Sequence, residues 1–153
     1  PRDWSSDVCS SDLVLVATGD GSFGFNAMEI DTAVRHRAPV LVVVANNGSW
    51  AIEVRDQQET HGRVVGTHLQ FADHAAMARA FGAHGERVER PEDLRGAIAR
   101  AREALAQGRP ALLDVLVTPE AASSDAKSGL AWVPDLQALG AWDQAELAWR
   151  QEG

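Results

Sequence analysis

Two short apolar runs, separated by a segment with helical periodicity, dominate the first third of the chain. The runs cover residues 13–17 and 40–45, and each leads into a polar cluster, GDG at 19–21 and NNG at 46–48. Between them, apolar side chains recur at helical spacing over residues 23–36. A strand, a helix and a strand in this order predict a βαβ unit with parallel strands. Both polar clusters should therefore meet at the carboxyl edge of the sheet, where open α/β sheets bind ligands.

The remaining chain continues to alternate between helix-like and strand-like segments. This alternation predicts an α/β fold, a doubly wound and mostly parallel sheet of about five or six strands with helices on both faces. No internal repeat interrupts it. The predicted elements are a short helix over 50–58, a loop over 60–69, a helix over 73–81 with Asp73 as its N-cap, a strand over 85–89, a helix that opens at Pro91, and a last strand over 111–117.

Several polar residues outside the two clusters have an ordinary structural interpretation. Glu29 lies near a helix N-terminus, where a negative charge is favourable, although it could also support the first cluster. The seven-residue spacing of His61 and His68 matches no usual zinc pattern, so a zinc site is not expected there, although one of the two could meet a substrate. Asp114 interrupts the last strand, and a lone carboxylate there predicts a strand face or a sheet edge rather than a catalytic group.

Composition and charge narrow the class of protein. The chain has 153 residues, of which 45% are hydrophobic and 24% charged, as in an ordinary globular domain. Its formal net charge of −8 argues against nucleic-acid and membrane-surface partners. Cys9 is the single cysteine, so no internal disulfide can form. A cytoplasmic location fits this composition.

The composition and periodicity of the sequence divide the chain into three parts. Residues 1–12 are rich in serine and aspartate, without periodicity, and are interpreted as a foreign segment or as a linker without function. Residues 13–118 carry the strand–helix alternation and form the predicted domain. Residues 119–153 form a C-terminal extension whose tryptophans should pack against this domain or cover a neighbouring one, with a lid over the site as the alternative.

The residues at the predicted carboxyl edge suit a metal ion and a phosphate. Asp20 offers a hard carboxylate oxygen and Asn47 an amide oxygen, a set that fits Mg²⁺ or Ca²⁺ better than zinc. Gly19 and Gly21 allow a tight turn and a close approach of the backbone to a ligand. The helix that follows the first cluster presents free N–H groups, which favour an anion.

The sequence GDGS at 19–22, followed by the asparagine pair at 46–47, resembles the signature of thiamine diphosphate-dependent enzymes. The similarity is greatest to the group of acetolactate synthase, benzoylformate decarboxylase and benzaldehyde lyase, and it covers about residues 13–118. The resemblance implies a thiamine diphosphate-binding fold in which Mg²⁺ holds the cofactor's diphosphate. It assigns the metal ligands to Asp20, Asn47 and the backbone carbonyl of Ser49. The cofactor-binding residues that it implies are Gly19, Asp20, Gly21, Ser22, Asn47, Ser49 and Trp50.

The resemblance also sets expectations for activity and partners. It implies a fragment of a 2-oxo acid decarboxylase or carboligase that takes a small 2-oxo acid and is a homo-oligomer at full length. In this family a separate pyrimidine-binding domain supplies the activating glutamate, and nothing in this chain corresponds to that domain. Neither Glu29 nor Glu53 is assigned the role, so no catalytic residue is predicted and the chain alone should be inactive.

Two other functions are compatible with parts of the pattern. The GDG turn alone would allow a non-catalytic, metal-dependent module that binds a nucleotide or a phosphate, but the asparagine pair argues against it. A remnant that has kept the fold and binds nothing is the third interpretation.

Overall fold

Four parallel strands form the sheet at the centre of the domain. The computed structural model describes residues 13–118. Along the sheet the strands follow the order β1-β2-β4-β3, so the last strand in sequence lies between the second and the third. Their bounds are β1 Val14–Gly19, β2 Val40–Asn46, β3 His84–Val88 and β4 Ala111–Leu116.

Helices fill the connections between these strands. The last of them, Leu94–Ala106, begins after a 3₁₀ turn over Pro91–Asp93, as the proline at this position predicts. Within residues 13–118, no helix has the length and apolar character needed to cross a membrane. The helices are α1 Asp20–Phe25, α2 Glu29–Arg35, α3 Ala51–His61, α4 His74–Ala80 and α5 Leu94–Ala106.

Apolar side chains on both faces of the sheet pack against helices. On one face, Val42, Val44 and Leu112 contact a cluster contributed by α1, α2 and α4. On the other face, Ala111 and Leu113 pack against the alanine-rich side of α5. Two covered faces explain why β2 and β4 read as continuous apolar runs, and they confirm the doubly wound α/β fold.

The helix predicted over residues 23–36 is two helices, so that prediction is wrong in its continuity. The first helix contains Gly21 and Gly24, which weaken its helical preference, and it ends at Phe25 with Asn26 as its C-cap. The N–H of Asn26 donates to the Phe23 carbonyl at 3.1 Å, and the Asn26 carbonyl accepts from the N–H of Glu29 at 2.9 Å. This turn redirects the chain before α2 begins at Glu29.

The described residues form four strands of the sheet, for which the sequence predicted five or six in all. These four are the strands that the sequence analysis located, at residues 13–17, 40–45, 85–89 and 111–117. The helices α1 and α2 share the connection between β1 and β2, and α3 and α4 share the next connection, with no strand between the two members of either pair. Asp73 is confirmed as the N-cap of α4, where its Oδ1 accepts from the N–H of Ala76 at 2.7 Å.

An ion pair joins β3 to α5 and leads to a prediction about acid stability. Arg100 Nε donates to Glu86 Oε2 at 3.0 Å, and this hydrogen bond is the main reason that the pKa of Glu86 lies below its ordinary value of 4.5. A carboxyl group whose pKa is lowered by folding stabilises the protein above its unfolded-state pKa, and this contribution is lost as the pH falls through the folded-state pKa.

The variant Glu86→Gln should therefore be less stable than wild type at neutral pH and equally stable in acid below the lowered pKa. Urea unfolding of both proteins at the two pH values measures the difference. The control is Glu59→Gln on the exposed side of α3, which should match wild type at both. A stability gap between Glu86→Gln and wild type that persists in acid would contradict the prediction.

Candidate functional site

The two polar clusters lie together at the carboxyl edge of the sheet, as the sequence predicted. The strands β1 and β2 are neighbours, with Gly19 opposite Ala45 in the register. Residues that follow both strands line one cavity of about 270 Å³. All seven predicted cofactor-binding residues belong to its lining, which consists of Gly19, Asp20, Gly21, Ser22, Asn47, Ser49, Trp50, Ala51, Ile52 and Glu53.

Asp20 is a buried carboxylate that lacks a partner on one oxygen. It is the first residue of α1, and only 4% of its surface is exposed. Its Oδ2 is buried and makes no hydrogen bond. An unpaired buried carboxylate oxygen is unfavourable because its lost hydration is not replaced. The position therefore suits a cation that would bind this oxygen.

The loop after β2 contains the other oxygen atoms that the sequence analysis assigned as metal ligands. Asn47 Oδ1 accepts from the backbone N–H of Ser49 at 3.0 Å and lies 3.3 Å from the Ser49 hydroxyl. This local turn keeps the Asn47 side chain close to the backbone of residues 47–49. Carboxylate, amide and carbonyl oxygens are the ligands that Mg²⁺ prefers in proteins, so the donor set fits that ion.

The part of the chain that the structure describes contains no cluster of three or more histidine, cysteine, aspartate or glutamate side chains that could hold a metal. The set at the carboxyl edge differs from such a cluster, because it combines one carboxylate with an amide and a backbone carbonyl.

Gly21 is required for the close approach of Trp50. A Cβ atom at Gly21 would lie 2.7 Å from the Trp50 indole, well inside van der Waals contact. The indole also stacks at an angle on Phe25, with ring centroids 5.3 Å apart. Trp50 thus forms one wall of the cavity against the backbone of α1. By contrast, a Cβ at Gly19 would meet no atom within 4 Å.

A segment that the sequence predicted only as a loop supports the second cluster. The N–H of Trp50 donates to the Thr67 carbonyl at 2.9 Å, and the N–H of Leu69 donates to the Gly48 carbonyl at 2.7 Å. These bonds form an isolated antiparallel bridge between Ser49 and His68. His68 therefore lies beside the cluster at 46–49, whereas the prediction that a histidine of this loop meets substrate is not tested by the structure.

Two residues that the sequence analysis did not assign to the site lie in it or next to it. Glu53 lines the cavity, and its Oε2 is buried without a hydrogen-bond partner. Asp114 is fully buried in β4 and bonds to Asn46, the first residue of the cluster at 46–49. Asp114 lies in an interior strand of the sheet rather than at a sheet edge. The available signal was a charged residue in an apolar strand, since such a residue needs buried partners.

Comparisons with known proteins agree with this geometry. A sequence model of the family described as "Thiamine pyrophosphate enzyme, C-terminal TPP binding domain" matches residues 8–115. Thiamine pyrophosphate and thiamine diphosphate are the same compound. The match begins inside the segment set apart at residues 1–12, and the boundary at residue 13 stays a prediction.

Individual relatives belong to the same group of enzymes. A probable acetolactate synthase of Mycobacterium bovis is 41% identical over 110 residues, which are 71% of this chain and 20% of that protein. A 2-hydroxyacyl-CoA lyase of Oryza sativa subsp. japonica is 33% identical over 121 residues, 75% of this chain and 20% of the relative.

A solved structure gives the same result. Benzoylformate decarboxylase from Polynucleobacter necessarius superimposes with a TM-score of 0.63 at 29% sequence identity, covering 71% of this chain and 20% of that one. The chain therefore spans about a fifth of the length of the relatives it matches. From the family match and the shared fold, we conclude that this chain belongs to the thiamine pyrophosphate enzymes, as a C-terminal thiamine pyrophosphate-binding domain.

Proposed function

We propose that this domain binds thiamine diphosphate through Mg²⁺ and is part of a 2-oxo acid decarboxylase or carboligase resembling acetolactate synthase. One observation carries the proposal. Asp20, whose buried Oδ2 has no hydrogen-bond partner, lines a cavity that Asn47 and Ser49 also line. A divalent cation there would replace the missing hydrogen bonds with a stronger interaction.

Three groups of this chain would hold the ion. Asp20 supplies the charged oxygen, Asn47 the side-chain amide oxygen, and Ser49 its backbone carbonyl. Two ligands come from one loop and the third from the neighbouring strand's end, so ion binding would link the carboxyl ends of β1 and β2. Mg²⁺ usually completes its coordination with water and substrate phosphate oxygens, which leaves room for a diphosphate.

The same cavity offers contacts for the diphosphate. The helix α3 has 11 residues, and its first residues line the cavity. Free N–H groups at a helix N-terminus favour an anion. Ser22 adds an exposed hydroxyl, and Gly21 keeps the backbone of α1 close to the indole of Trp50.

When bound, thiamine diphosphate supplies an electron sink for cleaving or forming a bond next to a carbonyl group. The role proposed for this chain is to bind and orient the cofactor, and none of its described residues is assigned a catalytic role. We propose that a pyrimidine-binding domain supplies the activating glutamate, that the substrate is a small 2-oxo acid, and that the full-length enzyme is a homo-oligomer. The 153-residue chain alone should release no CO₂ from pyruvate or benzoylformate.

Calorimetric titration of the 153-residue chain tests the proposal. Thiamine diphosphate, ATP and FMN are titrated separately, each with and without Mg²⁺. The expected result is binding of thiamine diphosphate that requires Mg²⁺, with no comparable binding of the two nucleotides. Equal binding of ATP or FMN would instead indicate a general phosphate-binding module, and no binding of any ligand would indicate a remnant of the fold.

A further inference from the structure

Asp114 is a charged residue in the middle of an apolar interior strand. None of its surface is exposed, and its neighbours along β4, Leu112 and Leu113, are equally buried. A carboxylate in such a place is strongly unfavourable unless partners satisfy its oxygens. Its contacts therefore show what the residue does.

Three elements of the fold donate hydrogen bonds to the Asp114 carboxylate. Asn46 Nδ2, at the end of β2, donates to Oδ1 at 2.9 Å. The backbone N–H of His74, at the start of α4, donates to Oδ2 at 3.3 Å. Arg87 Nη1, on β3, lies 3.4 Å from the same Oδ2. From its place on β4, Asp114 thus connects the neighbouring strands β2 and β3 with the helix α4.

Asn46 transfers this restraint to the loop that carries the proposed metal ligands. The side chain is fully buried, and its Nδ2 also donates to the Ala72 carbonyl at 2.9 Å. Its Oδ1 accepts from the backbone N–H of Gly48 at 3.3 Å. The amide group has acceptors on its nitrogen side and a donor on its oxygen side, so it can adopt one orientation only.

We infer that Asp114 is a positioning residue for the metal-ligand loop, defined as residues 46–49. Asp114 is not among the residues that line the cavity. It holds Asn46, and Asn46 fixes the path of the backbone through Asn47 and Ser49. The importance of this restraint for Mg²⁺ rests on the proposed function, whereas its effect on the loop does not. Groups that orient metal ligands through hydrogen bonds commonly affect metal affinity, and mutating such a group costs about 10- to 100-fold.

The first test needs no variant. In wild type, both side-chain amide protons of Asn46 should exchange with solvent slowly, because the side chain is fully buried and its Nδ2 donates to two acceptors, Asp114 Oδ1 and the Ala72 carbonyl. Hydrogen exchange followed by NMR on the assigned full chain measures the rate. Exchange as fast as that of an exposed asparagine, for which Asn26 is the internal reference, would overturn the inference.

The second test is Asp114→Asn, which keeps the size of the side chain and replaces one acceptor oxygen by a donor. Its NH₂ group must face either the amide of Asn46 or the N–H groups of His74 and Arg87, so at least one hydrogen bond is lost. Mg²⁺-dependent thiamine diphosphate affinity should fall about 10- to 100-fold. The control is Leu113→Ala, a destabilising change on the opposite face of the same strand, which should retain affinity while folded.

The outcome for Leu113→Ala separates positioning from general stability. An equal loss of affinity in both folded variants, or no loss in Asp114→Asn, would overturn the inference. If Asp114→Asn does not fold, Asn46→Ala replaces it, with the same expectation and the same control.

Failure of the proposed function would appear differently. If wild type shows no Mg²⁺-dependent binding of thiamine diphosphate, the proposed function fails. The positioning role is then decided by backbone amide exchange at Gly48 and Ser49. These amides should exchange faster in Asp114→Asn than in Leu113→Ala, and equal rates would overturn it.

Discussion

Replacing Asp20 by asparagine should abolish the Mg²⁺ dependence of thiamine diphosphate binding and, in the same molecule, stabilise the metal-free protein. The carboxylate is the only charged ligand of the proposed set, so its loss should weaken Mg²⁺ binding on the order of 100-fold or more. The buried Oδ2 has no partner in the fold. A neutral amide costs less to bury there than an unpaired carboxylate, and the gain should be about 1 kcal/mol or more.

Two measurements test both halves of this prediction. Calorimetry with and without Mg²⁺ gives the affinity, and urea unfolding with a chelator present gives the free energy of unfolding. The matched control is Asp31→Asn, which removes the same charge from an exposed carboxylate paired with Arg35 at 2.8 Å on α2. This control should bind like wild type and change stability by less than about 1 kcal/mol. Unchanged affinity in Asp20→Asn would refute the metal assignment.

Gly85→Ala should destabilise the fold more than any other single methyl addition at the glycines of the domain. A Cβ at this position of β3 would lie 2.1 Å from the Ala75 carbonyl oxygen of α4 and 3.1 Å from Arg79 Cγ. A backbone atom cannot turn away as a flexible side chain can, so the helix must move off the strand. Overpacking of this kind costs about 1–3 kcal/mol and occasionally more, and we expect at least the upper value.

Chemical denaturation measures the loss, with Gly96→Ala as the control. A Cβ at Gly96, within α5, would approach only the flexible guanidinium of Arg100, at 3.2 Å. Alanine is the better helix former by about 0.5–1 kcal/mol, so this variant should be as stable as wild type or more stable. A loss below about 1 kcal/mol in Gly85→Ala would show that α4 is less tightly fixed on β3 than the structure indicates.

The sequence was informative where local pattern and strand direction decide the outcome. Apolar runs followed by Asp20 and by Asn47 had to meet at one edge once both strands were parallel, and the structure places both residues in one cavity. The N-cap at Asp73 depends on neighbours three residues away, and it was predicted correctly. Such features require no knowledge of distant contacts.

Features that depend on the meeting of distant segments could not be predicted. The bond between Asn46 and Asp114 joins residues 68 positions apart, and the indole of Trp50 reaches Gly21 only through the packing of the loop on α1. The break between α1 and α2 results from the turn at Asn26, although the helical pattern of the sequence continues across it. In each case the tertiary contact, rather than the local preference, determines the structure.

The strand order β1-β2-β4-β3 also determines when the site can be completed during synthesis. A nascent chain emerges from its amino end, and β4 is the last of these elements to leave the ribosome. Until then β2 and β3 have no common neighbour, and Asn46 has no carboxylate to bind. The metal-ligand loop is therefore synthesised before β4, but its Asn46 gains the hydrogen bond to Asp114 only after β4 has been synthesised. A chain interrupted before Ala111 would expose the inner edges of β2 and β3, which other unfinished chains could pair with.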